Sequence, residues 1–179
     1  MRDSRGFTLI ELLLVLVIVG ILLTISLANY RQARLRGAEA SAIGSLSAIN
    51  QAQFAYMQTC GNQKFAPNLI ALGKQNPATN APYLSPDLTA AEAVVKAGYR
   101  IVLEGTEVLE PMPTQTCTGD TPVETYHATA DPVTPGTTGT RFFGTNTERV
   151  IYEHVESLSG KMPDTGAPPL GTEIRGTPR

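Results

Sequence analysis

From Leu12 to Leu27 the chain is apolar at every position except Gly20, Thr24 and Ser26. An uncharged run of this length predicts a helix about as long as a bilayer is thick, because roughly 20 apolar residues cross the hydrocarbon. Beyond it the pattern changes from continuous to periodic. Leu35, Ala38, Ala42, Leu46, Ile49, Ala52 and Tyr56 recur at steps of three and four, which is one face of a helix. No proline interrupts the stretch from Tyr30 to about Met57, and its alanines, glutamines, arginines and leucines favour helix. The prediction is one helix of roughly 50 residues, about 75 Å long. A bilayer core is only about 30 Å thick, so the second half projects and must be covered. Arg34, Gly37, Ser41, Gly44 and Ser45 form the remaining face, small and polar, which permits close approach of another helix.

After Cys60-Gly61 the pattern shortens. Phe65 to Gly73 reads as a loop with one helical turn, and Asn76 to Pro86 as a proline-rich surface loop. Ser85-Pro86-Asp87-Leu88 can start a short helix, capped by Ser85 or Asp87, with Ala90 to Ala97 favouring its continuation. Gly98 to Glu104 alternates and is β-branched, which predicts a strand. Further strands are expected near Glu124 to Asp131, Thr140 to Phe143 and Val150 to Val155, with Glu148-Arg149 at the turn before the last. Pro132 to Gly139 has turn chemistry at several positions. From Gly160 the tail is rich in proline, glycine and threonine and is expected to be mobile or extended along the surface. The fold class is α+β: a long N-terminal helix whose second half packs on a small antiparallel sheet of three or four strands. The organisation follows as a leader at 1–6, a transmembrane or assembly helix at 7–28, and its continuation at 29–58. A loop-and-sheet region occupies 59–160 and the tail 161–179.

Composition adds bounds rather than chemistry. The chain has 179 residues and a formal net charge of −2. What lies beyond the apolar helix suffices for one small domain. Near-neutral charge gives no basis for a dedicated nucleic-acid surface. The two histidines, His127 and His154, fall in predicted strands, where packing or surface roles suit them, and neither sits in zinc-ligand spacing. No Gly-x-Ser-x-Gly elbow is present, so an enzyme is not expected. Asp120, Glu124 and Asp131 lie in or near loops and could reach a calcium ion, but without EF-hand spacing. No metal and no cofactor is assigned.

The chemistry that does stand out is at the other end. Glu11 sits at the head of the apolar run, where a carboxylate is a cost that a plain anchor would not carry. An ordinary secretory signal has a shorter apolar core and a small-x-small cleavage site. Arg2 and Arg5 precede the run and orient it with the bulk of the chain outside the cytoplasm, although Arg31, Arg34 and Arg36 on the far side argue weakly the other way.

Arg5-Gly6-Phe7-Thr8-Leu9-Ile10-Glu11-Leu12-Leu13 resembles the processing signal of type IV pilins and pseudopilins. Gly20 also matches that family, and the resemblance is specific from Arg5 to about Tyr30. It implies that a prepilin peptidase cuts between Gly6 and Phe7 and N-methylates Phe7. It also implies that Glu11 meets the N-terminal amine of a neighbouring subunit, here at Phe7. One departure is plain. Family members often carry a proline late in the apolar run, whereas this chain has Leu27-Ala28-Asn29 there. A proline-induced melt is therefore not expected, leaving Gly20, Thr24 and Ser26 as the candidates for a weak point.

Export places Cys60 and Cys117 in an oxidising compartment, where two cysteines make one pair. Two free thiols or an intermolecular bond are the alternatives. The implied function is a structural subunit of a type IV pilus-like filament, with other copies of itself as the main partner. A prepilin peptidase, an assembly ATPase and an inner-membrane platform protein complete the partner set, and the membrane holds the precursor. A pseudopilin of a type II secretion system is the alternative, and beyond it a minor pilin that binds a surface or DNA. The implied location is the bacterial inner membrane, then an extracellular pilus or a periplasmic pseudopilus.

Overall fold

The computed structural model describes residues 7–106 and 116–174, and for residues 25–29 it describes the backbone alone. Helix α1 runs without interruption over Leu9–Thr59. It is followed by two short helices, α2 (Leu69–Gly73) and α3 (Pro86–Thr89). Six strands then form one antiparallel meander in chain order: β1 (Ala93–Lys96), β2 (Tyr99–Thr106), β3 (Thr125–Pro132), β4 (Phe142–Asn146), β5 (Ile151–His154) and β6 (Thr172–Glu173). The sheet therefore has more strands than the three or four expected.

The extra strands have different origins. Residues 90–97 were expected to favour helix because of their alanines, yet α3 ends at Thr89 and Ala93–Lys96 is strand. The reason lies in the turn that follows. Ala97 and Gly98 both have positive φ, 50° and 83°, and Lys96 pairs directly with Tyr99. A two-residue turn of this kind matches the twist of a hairpin, and it forces the preceding residues into the ladder whatever their helix propensity. Val94 then points into the core and Val95 outward. The other extra strand, β6, is the tail laid along β5, with Tyr152 opposite Glu173. The β4 strand lies later than expected, at Phe142–Asn146 rather than 140–143. Gly144 conceals it in the sequence, being a poor strand former. In the fold it is required, because a Cβ there would come within 2.7 Å of the Met162 sulfur. Leu158 and Met162 pack with Val150 and Tyr152 over the outer face of the sheet.

The predicted helix stripe is the core. Ala42, Leu46, Ile49, Ala52 and Tyr56 are all buried, against Tyr99, Ile101, Leu103, Tyr126, Ala128, Phe143 and Ile151 on the inner face of the sheet. Ser45, assigned to the small polar face, is instead buried, and its hydroxyl donates to the Ser41 carbonyl at 2.9 Å. Three polar side chains of α1 sit in the same interface. Asn50 donates to Thr145 Oγ1 at 2.9 Å and to the Arg149 carbonyl at 3.2 Å, and accepts from the Tyr126 hydroxyl at 3.0 Å. Gln53 both donates to the Ala66 carbonyl (2.9 Å) and accepts from the Ala66 N–H (2.8 Å), pairing with the backbone as a strand would. Glu39 accepts from the Thr140 N–H at 3.1 Å and hydroxyl at 2.8 Å, and from Arg141 Nε at 3.0 Å and Nη2 at 2.7 Å.

Burial raises the Glu39 pKa, but the hydrogen bonds from Arg141 and Thr140 outweigh it and hold the carboxyl below its ordinary 4.5. Tyr99, beside it, is pushed up to about 12 by burial and by the Glu39 charge. A carboxyl with a depressed folded-state pKa contributes stability that is present above its ordinary value and lost as pH falls through the lower one. Urea midpoints are therefore expected to fall as pH drops below 4.5. Glu39→Gln is expected to be less stable at pH 7 and to show a shallower acid slope. An unchanged slope in the variant would assign the acid sensitivity elsewhere, with Asp164 the next carboxyl to test, since its pKa is also lowered: burial raises it, and bonds from Thr106, His127 and Thr125 outweigh that.

A Cys60–Cys117 disulfide closes the end of α1 onto the loop after β2, with Cα atoms 4.9 Å apart. The Cys117 N–H also donates to the Cys60 carbonyl at 3.2 Å. Tying together chain positions 57 residues apart restricts the unfolded chain by on the order of 4 kcal/mol in the loop-entropy picture. The bond and the polar anchors together fix the direction in which the first half of α1 leaves the globular part.

Candidate assembly site

The site is the free half of α1. Thr8 is its N-cap, in extended conformation (φ −79°, ψ 151°), and the Thr8 hydroxyl oxygen accepts from the Glu11 N–H at 3.3 Å. Thr8-Leu9-Ile10-Glu11 has the spacing of a capping box, the sequence signal that identifies Thr8 as a positioning residue. Phe7 and Leu12 occupy the flanking staple positions of the same motif. Glu11 thus lies in the first turn, where the partial positive charge of the helix end favours a carboxylate by roughly 0.3–1 kcal/mol. Phe7 stands just outside the helix and is 81% exposed.

From Leu9 to Leu23 every large apolar side chain is exposed, including Leu12, Leu13, Leu14 and Val15, which face successive directions around the helix. Among the described residues, no part of the globular region covers them. The Thr24 hydroxyl donates to the Gly20 carbonyl at 2.9 Å, so the polar group in this stretch is satisfied within the helix. The backbone passes through Gly20, Thr24 and Ser26 without a break. Among the described residues no helix is both long and apolar enough to cross a membrane. The continuous run of described apolar side chains ends before Thr24, roughly 21 Å along the axis from Leu9. Gly6, the residue expected to precede the cleavage point, lies outside the described residues with the rest of the leader.

The other candidate residues are dispersed. Asp120 is paired with Lys74 and Glu124 with Lys64. Asp131 accepts from the Ser157 hydroxyl. Among the described residues no group of three or more His, Cys, Asp or Glu side chains could hold a metal ion. His127 lies between Asp164 (2.7 Å) and Glu104 (3.1 Å) on the outer face of the sheet. The His154 Nδ1 accepts from the Glu156 N–H at 2.9 Å at the end of β5.

Residues 1–27 match the family model of the prokaryotic N-terminal methylation motif. A relative from Thermus thermophilus, the type IV wide pilus major component PilA4, is 30% identical over 102 residues, which cover 55% of this chain and 76% of the relative. The chain belongs to the type IV pilin family. No solved structure matches it. The family is one of structural pilins, and the long helix followed by an antiparallel sheet is the pilin-like architecture. The methylation motif coincides with the capped and exposed start of α1, so the pilin signal and the uncovered surface are the same segment.

Proposed function

We propose that the chain is a subunit of a type IV pilus filament. It is made as a precursor, held in the bacterial inner membrane by residues 7–28, cut between Gly6 and Phe7 by a prepilin peptidase, and N-methylated on Phe7. An assembly ATPase and a platform membrane protein then move the helix from lipid into a bundle of identical helices. The observation that carries this reading is the apolar half of α1, exposed on all sides with an acid at its head. Such a surface needs apolar surroundings, and lipid and a helix bundle both provide them, so transfer between the two is not strongly uphill. In the sequence, Ile25 to Leu27 continues the apolar run and brings it to membrane-spanning length.

Glu11 gives the bundle its register. Inside apolar surroundings a charge pair contributes little net stability but strongly penalises misalignment, because an unpaired charge is expensive. The partner charge is the N-terminal amine of Phe7 on the next subunit. A contact of that head-to-tail kind does not close on itself and propagates as a filament.

The experiment is electron microscopy of filaments sheared from the cell surface, with mass spectrometry of their subunit. The expected N-terminal peptide begins at Phe7 and is heavier by one methyl group. A surface filament subunit that still contains residues 1–6 would overturn the processing step. Recovery of the chain from envelope fractions alone would replace the pilus with the pseudopilus of a type II secretion system.

A further inference from the structure

Tyr30, Arg31, Arg34 and Arg36 follow directly on the apolar half of α1, and all four are exposed. From Leu9 to Ala28 the helix rises about 30 Å at 1.5 Å per residue, which is the thickness of bilayer hydrocarbon. Residues 30–36 then occupy roughly the next 3–12 Å, the depth of the headgroup layer. At about 100° per residue, Arg31 and Arg34 fall on one side of the helix and Arg36 on the other, so the charges encircle the axis. None of the three guanidinium groups has an ion-pair partner among the described residues. Arg34 lines a cleft with Gly98 and Thr138, which places the turn end of the sheet immediately beyond these residues.

The location of these charges is itself informative. Lysine and arginine concentrate on the cytoplasmic side of membrane helices, which here is the side of Arg2 and Arg5. Three arginines on the opposite side weaken that orientation signal. They are suited to a different task, since guanidinium groups bind phosphate oxygens with paired hydrogen bonds. Tyr30 adds a ring with a polar tip, a side chain favoured where hydrocarbon meets water.

We infer that Tyr30, Arg31, Arg34 and Arg36 form an interfacial collar that binds the phosphate headgroups of anionic lipids in the outward leaflet and sets the depth of the subunit before extraction. The inference rests on the membrane-spanning reading above. The collar stops the helix from sinking, and the sheet, seated just beyond it, stays clear of the hydrocarbon. On extraction the arginines exchange lipid phosphate for water or a neighbouring subunit, so the contact is reversible and weakened by salt.

The test uses the full chain reconstituted into phosphatidylcholine vesicles doped with acyl-chain spin-labelled phosphatidylglycerol or spin-labelled phosphatidylcholine. The readout is the fraction of label immobilised at the protein. The wild-type chain is expected to prefer phosphatidylglycerol by about fivefold at low salt, within what three arginines at a membrane surface supply. Arg31→Gln/Arg34→Gln/Arg36→Gln is expected to lose most of that preference, keeping only what Arg2 and Arg5 supply, while still resisting alkaline carbonate extraction. Equal preference in wild type and variant, or none in wild type, overturns the collar. A wild-type chain stripped from vesicles by carbonate overturns the spanning reading instead, and the collar with it. A variant that keeps its lipid preference but no longer forms filaments assigns the arginines to subunit contacts and likewise overturns the collar.

Discussion

Cells carrying Glu11→Leu are expected to hold normal amounts of processed subunit and to display no filaments. Two roles for Glu11 predict different magnitudes. As a helix-start residue it stabilises the first turn by roughly 0.3–1 kcal/mol, and the Thr8 cap remains when it is replaced. As the countercharge to a neighbour's amine its loss leaves that amine uncompensated in an apolar bundle, at about 3–5 kcal/mol, and the cost recurs with every subunit added. Only the second is large enough to abolish assembly. If the chain were an anchored domain that never polymerises, the leucine would be harmless or would improve insertion. Glu11→Gln separates charge from shape, since it keeps the hydrogen-bonding capacity of the capping position and removes the charge. Normal filament yield from both variants, with Phe7 confirmed as the mature N-terminus, would remove the electrostatic register from the mechanism.

Asn50→Ala is expected to lower the stability of the subunit by about 2–4 kcal/mol, since one buried and one partly buried group lose their partners, the buried one at roughly 1–3 kcal/mol, and a cavity is left behind. The groups are the Tyr126 hydroxyl and the Arg149 carbonyl, whereas Thr145 keeps its bond to the Val150 carbonyl at 2.9 Å. The Tyr126 hydroxyl is held well above the ordinary tyrosine pKa by burial, with the Arg149 charge opposing, so it cannot relieve the loss by ionising. Chemical denaturation monitored by circular dichroism measures the effect. The companion variant Asn50→Ala/Tyr126→Phe removes one orphaned hydroxyl and is expected to recover part of the loss, about 1 kcal/mol or more. A single variant with wild-type stability would show that this interface does not depend on its polar bonds.

The long helix and its buried face were legible because their signals are repetitive. The spacing of Ala42, Leu46, Ile49, Ala52 and Tyr56 survives any error at one position. The polar anchors were not legible, because Glu39, Asn50 and Gln53 look like solvent-facing residues of an ordinary helix. Their partners lie far off in sequence: Ala66 is the nearest, and Thr140, Arg141, Thr145 and Arg149 come from the second half of the sheet. No local pattern encodes such a pairing. The hairpin at Ala97-Gly98 is hidden for the opposite reason, since local helix propensity in residues 90–97 competes with a turn two residues long and loses. At the assembly site, Glu11 was conspicuous as a charge beside apolar residues. Thr8 is inconspicuous in the sequence, because only the backbone shows that its hydroxyl serves the Glu11 N–H.

The disulfide has a consequence beyond folding. Cys60 and Cys117 close the intervening chain into a covalent ring that carries α2, α3, β1 and β2. Within that ring the loop from Pro77 to Pro82 is exposed, the kind of site that proteases outside the cell attack first. A single cut there leaves both new ends attached to the same molecule, one through α1 and the other through Cys117. The sheet therefore stays covalently tied to α1 after the nick. A cut at the exposed turn of residues 133–137 has no such protection, because it lies outside the ring.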